Sequence, residues 1–255
     1  MIKSGSRRKR LTAYYSCNSQ ITEPIYIHPS SALYRNNPSD SMPEYVTYNQ
    51  LISNEEGDTT YMTCVTAITP TWIPSLLLDC SYLRWGPPLE SPHPFYDLNE
   101  DCVVCYVIPK YGVHKWELPP VKRDLNELCN SYDNDDADNN NDNNEKYVSK
   151  PLGYRKKDEA YRWFGRLLLE GSIGLDLKGT LRNDKLKESS NILTKQIPNV
   201  KAASLLRLLV LNKIITKTKL LTKLKEDPLF LCEEIQQFIS TENRKEFRKA
   251  WSNLI

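Results

Sequence analysis

Ile25-Tyr26-Ile27-His28-Pro29-Ser30-Ser31, followed after a polar interval by Pro43-Glu44-Tyr45-Val46-Thr47-Tyr48, is the stretch on which the fold turns. Two short apolar and aromatic runs separated by Pro, Asn and Ser predict neighbouring β-strands with a loop between them. A small barrel built around that pair accommodates what lies on either side. Leu11 to Ser16 is a β-branched and aromatic strand candidate, and Tyr61 to Ile68 alternates enough to be half-buried. Trp72 to Leu78 reads as a short apolar helix after the Thr71 cap, placed to plug one end of the sheet. Asp101 to Pro109 and Tyr111 to Leu118 resemble a hairpin turning at Lys110 to Gly112. About six short strands and one helix result, the pattern of a small β-barrel or sandwich.

Composition changes beyond this region. Residues 130–145 hold seven Asn and five Asp, too little apolar surface to offset conformational entropy, and predict a disordered linker or insertion. From Lys156 the apolar period becomes helical. Ala160, Phe164, Leu167 and Leu168 share one face of a helix that Gly171 can close. Val200 to Asn212, apolar nearly all round, predicts the buried centre of a helical domain, followed by helices over Lys217–Lys225, Pro228–Ile239 and Thr241–Leu254. The expected division is a barrel with a hairpin extension over 1–129, a disordered segment over 130–150, and a helical domain over 151–255.

The net charge of +2 conceals an asymmetry. Residues 1–129 hold 11 basic and 14 acidic residues, residues 130–145 hold none and 6, and residues 146–255 hold 23 and 12. A basic C-terminal part points to a polyanion partner or a polarised interface. No apolar run is long enough to span a bilayer, so no membrane partner is expected. Seven scattered cysteines suit free thiols in a reducing intracellular setting. A chain starting so near a strand reads as a piece of a longer protein.

The search for chemistry returns no catalytic constellation, and no cofactor or metal ligand is expected in this chain. Gly174-Leu175-Asp176-Leu177-Lys178-Gly179-Thr180 lacks the lysine that follows the second glycine of a phosphate loop. Cys102-Val103-Val104-Cys105 has metal-ligand spacing, but an extended Cys-x-x-Cys sends its sulfurs to opposite faces, so core cysteines are the better reading. His28, His93 and His114 are far apart with no nucleophile pattern around them. Arg162 and Arg166 share a helical face with Asp158 and Glu170 one turn away, the pattern of an ion-paired exposed surface. The phosphate-contact candidates are Lys213, Lys217, Lys219 and Lys223, with Lys225 beside them, and Arg244, Lys245, Arg248 and Lys249. Arg7, Arg8, Lys9 and Arg10 form a further basic run, either an RNA or nuclear-localisation patch or a solvated strand end. A lysine-rich face can equally be simply solvated.

The opening stretch resembles the OB-fold segment near the C-terminus of DEAH-box RNA helicases. The ordered motif comprises Tyr15-Ser16, Ile27-His28-Pro29-Ser30-Ser31, Pro43 to Tyr48, Thr59-Thr60-Tyr61-Met62, Val65 to Ile68 and Trp72-Ile73. His28, Pro29, Ser30, Ser31, Tyr48, Tyr61 and Trp72 are its structural positions. Arg162-Trp163-Phe164-Gly165-Arg166-Leu167-Leu168-Leu169-Glu170-Gly171, with the Leu-rich helix and Phe247 to Trp251, is similar to the extra C-terminal domain of the nucleolar Dhr1-like branch.

The resemblance implies an α+β fold, a five- to six-stranded OB-fold-like β-barrel followed by an α-helical C-terminal domain. It implies an accessory module of an ATP-dependent helicase that displaces a box C/D small nucleolar RNA from precursor rRNA during small-subunit ribosome biogenesis. The implied location is the nucleolus within the nucleus. ATP and Mg belong to motor domains of the parent protein, since neither a phosphate loop nor Asp-Glu-Ala-His is present here, and this chain alone is expected to be inactive. Expected partners are precursor rRNA, the small nucleolar RNA (snoRNA), the motor domains in cis, a protein activator and components of the small-subunit processome.

One departure stands out. The family often places basic residues before and after its Tyr-Met pair, whereas this chain has Glu55-Glu56-Gly57-Asp58 and Thr63. Outside the Arg7–Arg10 run, residues 1–129 hold 7 basic and 14 acidic residues, a balance that disfavours loose phosphate binding and suits docking of a basic protein segment. The alternative to the helicase reading is a protein-only interaction scaffold without RNA affinity.

Overall fold

The computed structural model describes residues 2–8, 11–35, 41–54, 59–78, 80–135, 156–175, 177, 179, 181, 186–195 and 199–254. The fold is α+β and divides into two compact units: residues 1–87 with 107–121, and residues 88–106 with 122–255.

In the first unit seven strands form one sheet: β1 (Ile2–Arg8), β2 (Leu11–Ser16), β3 (Ile25–Ile27), β4 (Tyr45–Thr47), β5 (Gln50–Ser53), β6 (Thr60–Thr63) and β7 (Thr66–Ile68). Their order is β5-β6-β3-β2-β1-β4-β7, one strand more than the five or six expected. The pairing among the described residues runs from β5 to β7 without closing into a ring. The two runs that open the sequence argument are not neighbours. The hairpin of β1 and β2 lies between β3 and β4, with β3 pairing antiparallel to β2 and parallel to β6. Short range punctuation marks where strands end, but pairing is settled by which faces can be buried, and β1 supplies the missing middle.

Alternation along β4 explains why this strand matters. Val46 enters a core with Tyr14, Ile25, Ile27 and Met62, while Tyr45 enters a second core with Ile73, Leu83, Tyr111 and Leu118. The helix α1 (Trp72–Leu76) supplies Ile73 and Pro74 as its buried residues. Trp72 itself is 56% exposed, so the structural tryptophan expected at the barrel end is a surface residue. Residues i and i+1 cannot share a face of so short a helix, and Ile73 takes the inward position.

The expected hairpin over 101–118 does not form. β10 (Cys102–Val107) pairs with β9 (Phe95–Asp97) in a sheet ordered β13-β10-β9, where β13 is Val121–Asp124. β11 (Lys110–Tyr111) instead pairs with β12 (Trp116–Glu117) and with β8 (Leu83–Arg84). Pro109 interrupts the run, and Gly112 at φ +71 and Lys115 at φ +52 shape the turn into β12.

Among the described residues the second unit holds β9, most of β10 and of β13, and six α-helices: α2 (Leu125–Asp135), α3 (Glu159–Leu169), α4 (Val200–Leu211), α5 (Lys217–Glu226), α6 (Cys232–Gln236) and α7 (Arg244–Ser252). Residues 88–106, placed with the barrel by sequence, thus belong to the helical unit, where Tyr96 packs its ring 6.0 Å from Phe164. Residues 130–135, expected to be disordered, are helical. Leu125, Leu128 and Cys129 anchor α2 in the core, and the Asp124 carboxylate caps it by accepting from Asn126 N at 2.6 Å. Residues 136–150 lie outside the described residues.

α3 buries Ala160, Phe164, Leu167 and Leu168 as its periodicity predicts. Gly171 at φ +70 closes it, with Gly171 N donating to Leu168 O at 3.1 Å and Ser172 N to Leu167 O at 2.9 Å. α4 starts at the Asn199 cap and buries Ala202, Leu205, Leu206 and Leu209, but Val200 and Leu211 are 88% and 59% exposed, so it is buried on one face only. The helix expected over Pro228–Ile239 shortens to α6, preceded by Leu231 at φ +61, and the last helix begins after Asn243. Phe247 and Trp251 are buried on α7.

Candidate nucleic-acid interface

The His28–Ser31 turn in the first unit is a self-contained hydrogen-bonded bend. His28 N donates to Met62 O at 3.0 Å, which holds the turn to β6, and Ser31 N donates back to His28 O at 2.9 Å. Ser30 N donates to His28 Nδ1 at 3.2 Å, and Ser30 Oγ lies 2.7 Å from the same nitrogen. Accepting a backbone N–H fixes Nδ1 as the lone-pair nitrogen and leaves the ring proton on Nε2. The Tyr61 ring stands edge-on to the imidazole at 5.7 Å, and Ser31 Oγ accepts from Leu33 N at 3.3 Å. Pro29 is exposed in the bend, and Tyr48 packs half-buried against the core of Tyr14 and Met62. His28, Ser30, Ser31 and Tyr61 therefore form one structural device; Trp72 stands apart from it.

The basic residues separate into those with structural partners and those pointing to solvent. Arg7 and Arg8 are in β1, opposite Thr12 and Leu11, and Lys9 and Arg10 lie outside the described residues. Lys217 is committed: its Nζ donates to Gly174 O at 2.6 Å, and its backbone N donates to Tyr96 Oη at 2.7 Å and to Asp101 Oδ1 at 3.1 Å. Lys223 pairs with Glu226 at 2.9 Å. Arg244 Nε donates to Ile239 O at 3.3 Å, and Arg248 Nη2 to Gln236 Oε1 at 2.9 Å. Lys213, at φ +53 just past α4, is exposed and occupies the position where a glycine usually ends a helix. Lys219 and Lys225 on α5, and Lys245 and Lys249 on α7, are exposed and have no carboxylate partner among the described residues. Of the cations predicted as phosphate contacts, these four and Lys213 are exposed and uncommitted among the described residues.

Arg162 and Arg166 do not make the exposed ion-paired face expected of them. Arg162 is 5% exposed. Arg166 Nε donates to Glu170 Oε1 at 2.8 Å, Ser190 Oγ donates to the same oxygen at 2.6 Å, and the guanidinium carbon sits 4.7 Å above the Trp163 ring. A helical i,i+4 spacing reveals the pair but not its burial, because Ser190 comes from a distant segment.

Sequence spacing also gave no sign of an aromatic series in the first unit. Tyr45 approaches Trp116 at 6.3 Å, Trp116 stacks on the exposed His114 at 5.3 Å, and His114 meets Tyr15 at 6.3 Å. Cys105 is buried and Cys102 half-buried on β10, and burial pushes both thiols up to about 12.

Comparison with known proteins matches both units in order. Residues 2–77 match the oligonucleotide/oligosaccharide-binding (OB)-fold family model, and residues 181–255 match that of the DEAH helicase DHX37 C-terminal domain. These matches are to the OB-fold and C-terminal domain models of DEAH-box RNA helicases, which this chain resembles along most of its length. It is 28% identical over 232 residues to human "Probable ATP-dependent RNA helicase DHX37", covering 91% of this chain and 17% of that protein. It is 26% identical over 251 residues to Arabidopsis thaliana "ATP-dependent RNA helicase DEAH13", and 27% identical over 255 residues to Drosophila melanogaster "Probable ATP-dependent RNA helicase kurz". Each alignment covers 98% of this chain, but only 17% and 18% of the respective relatives, so the chain spans less than a fifth of their length. The α+β fold is consistent with the OB-fold family model.

Proposed function

We propose that this chain is the accessory C-terminal module of an ATP-dependent DEAH-box RNA helicase acting in small-subunit ribosome biogenesis in the nucleolus. In this reading the parent enzyme displaces a small nucleolar RNA from precursor rRNA, and ATP and Mg are held by motor domains outside this chain. The OB-fold unit lines the RNA channel and receives a protein activator, while the helical unit anchors the enzyme on its particle. The observation that carries the RNA part is the outward set Lys213, Lys219, Lys225, Lys245 and Lys249 on a region where basic residues outnumber acidic ones 23 to 12. Phosphate backbones are bound by such mobile, solvated cations rather than by lysines already used inside the fold.

The exposed apolar pair Trp72 and Leu76 of the first unit, 56% and 76% exposed one helical turn apart, favours protein docking there. The division of roles is tested by crosslinking the full-length enzyme in its native particle. RNA crosslinks are expected at Lys219, Lys245 and Lys249, and protein crosslinks around α1. RNA crosslinks confined to the first unit, with none on α5 or α7, would overturn the assignment.

A further inference from the structure

We infer that the cleft beside α6 and α7 is a docking site for a basic peptide segment of another protein, which inserts one apolar side chain against Leu229. This goes beyond the RNA reading and uses none of its exposed lysines.

The cleft has a volume of 460 Å³, room for one or two side chains of a partner. Its apolar lining includes Phe230 and Trp251, 7% and 1% exposed, and Leu229, 72% exposed. A leucine so exposed beside buried aromatics is an anchor left without a partner.

The charge around the cleft selects the occupant. Asp227, Glu233 and Glu234 line it, against Arg248 as the basic lining residue. Arg248 is already engaged with the Gln236 carbonyl oxygen. Three carboxylates repel a phosphate backbone and attract lysine or arginine side chains flanking an apolar anchor. RNA is thus excluded from this cleft by the same electrostatics that admit it at the outward lysines.

The test is selection of a random twelve-residue peptide library, displayed on phage, on the full chain. Enriched peptides should carry Lys or Arg on either side of a Leu, Ile or Met. Their affinity should fall at least about tenfold in Glu233→Lys combined with Glu234→Lys, and about fivefold in Leu229→Ala, a charge loss and an anchor loss of ordinary size. Leu229 is exposed, so its replacement leaves folding intact, and an unchanged melting curve checks both variants. Acidic consensus peptides, no enrichment, unchanged affinity in the folded variants, or displacement of bound peptide by an equimolar single-stranded RNA oligonucleotide would each overturn the proposal.

Discussion

The carboxylate of Asp101 caps α5 at Lys217, 116 residues further along the chain, with Oδ1 accepting from the Lys217 backbone N–H at 3.1 Å. Oδ2 accepts from Thr218 N at 3.2 Å, and Tyr96 Oη donates to Oδ1 at 2.5 Å while accepting from Lys217 N. A strand-end acid thus sits at the positive end of a helix and satisfies two of its free donors. This contact explains why residues 88–106 belong to the helical unit: their turn supplies the cap that one of its helices needs.

Partial burial pushes the Asp101 carboxyl up, but the hydrogen bonds from Tyr96, Thr218 and Lys217 outweigh it and hold the group below its ordinary value. The Tyr96 hydroxyl is raised, first by burial and then by its bond to Asp101. A carboxylate depressed in the folded state contributes stability above its unfolded pKa of about 3.9 and loses it as pH falls through the folded value. Asp101→Ala should therefore cost about 1–2 kcal/mol at pH 7, the usual range for a lost cap. Urea denaturation at pH 7 and pH 3 should show the gap between the two proteins narrowing in acid. An equal gap at both would contradict the capping role.

Glycine substitutions separate backbone strain from packing. At Gly171 an added Cβ would collide with the Leu181 carbonyl oxygen, at a φ of +70 that side chains disfavour. At Gly165 it would meet Leu209 Cδ1 at 3.2 Å inside an ordinary helix. Gly171→Ala is expected to cost about 2 kcal/mol or more and Gly165→Ala less, since a leucine methyl can move and a carbonyl cannot. Chemical denaturation of both variants checks the order.

Glu170 holds Arg166 and Ser190 through one oxygen, with both ion-pair side chains less than a fifth exposed. Glu170→Gln keeps the shape and removes the charge, leaving a half-buried guanidinium over Trp163. A loss of about 2 kcal/mol is expected, below that of a fully buried pair because solvent still reaches the site. If the variant melts with the parent, the pair is a surface contact.

The sequence made the helical parts legible because their signals are local. The 3.6-residue period of α3, its Gly171 closure and the start of α5 at Lys217 all follow from residues within one or two turns. What escaped was set by distant partners. β3 and β4 are separated by a hairpin whose second strand pairs with β3, β10 leaves Tyr111 for β9, and Asp101 reaches α5 across 116 residues of chain. The candidate site divides the same way. Periodicity placed lysines on α5 and α7, but only packing revealed that Lys217 and Lys223 are occupied while Lys219, Lys225, Lys245 and Lys249 are available.

The same sorting dictates which substitutions report on RNA. Lys217→Glu should lower stability by disturbing its bond to Gly174 O, whereas Lys219→Glu should leave the melting curve within about 0.5 kcal/mol of the parent, as exposed positions do. Thermal denaturation of the pair decides whether a lost RNA signal is a lost contact or a lost fold.

The central claim is that the outward lysines of the helical unit bind RNA backbone. Its most direct test is the affinity of the full chain for a single-stranded RNA oligonucleotide over a range of salt, beside a variant with Lys219, Lys225, Lys245 and Lys249 all replaced by glutamine. Each phosphate contact to a single strand contributes about 0.7 to the log–log slope, so losing four should flatten it by about 3 and weaken binding at low salt. A variant that folds normally and keeps both the slope and the affinity of the parent would contradict the account.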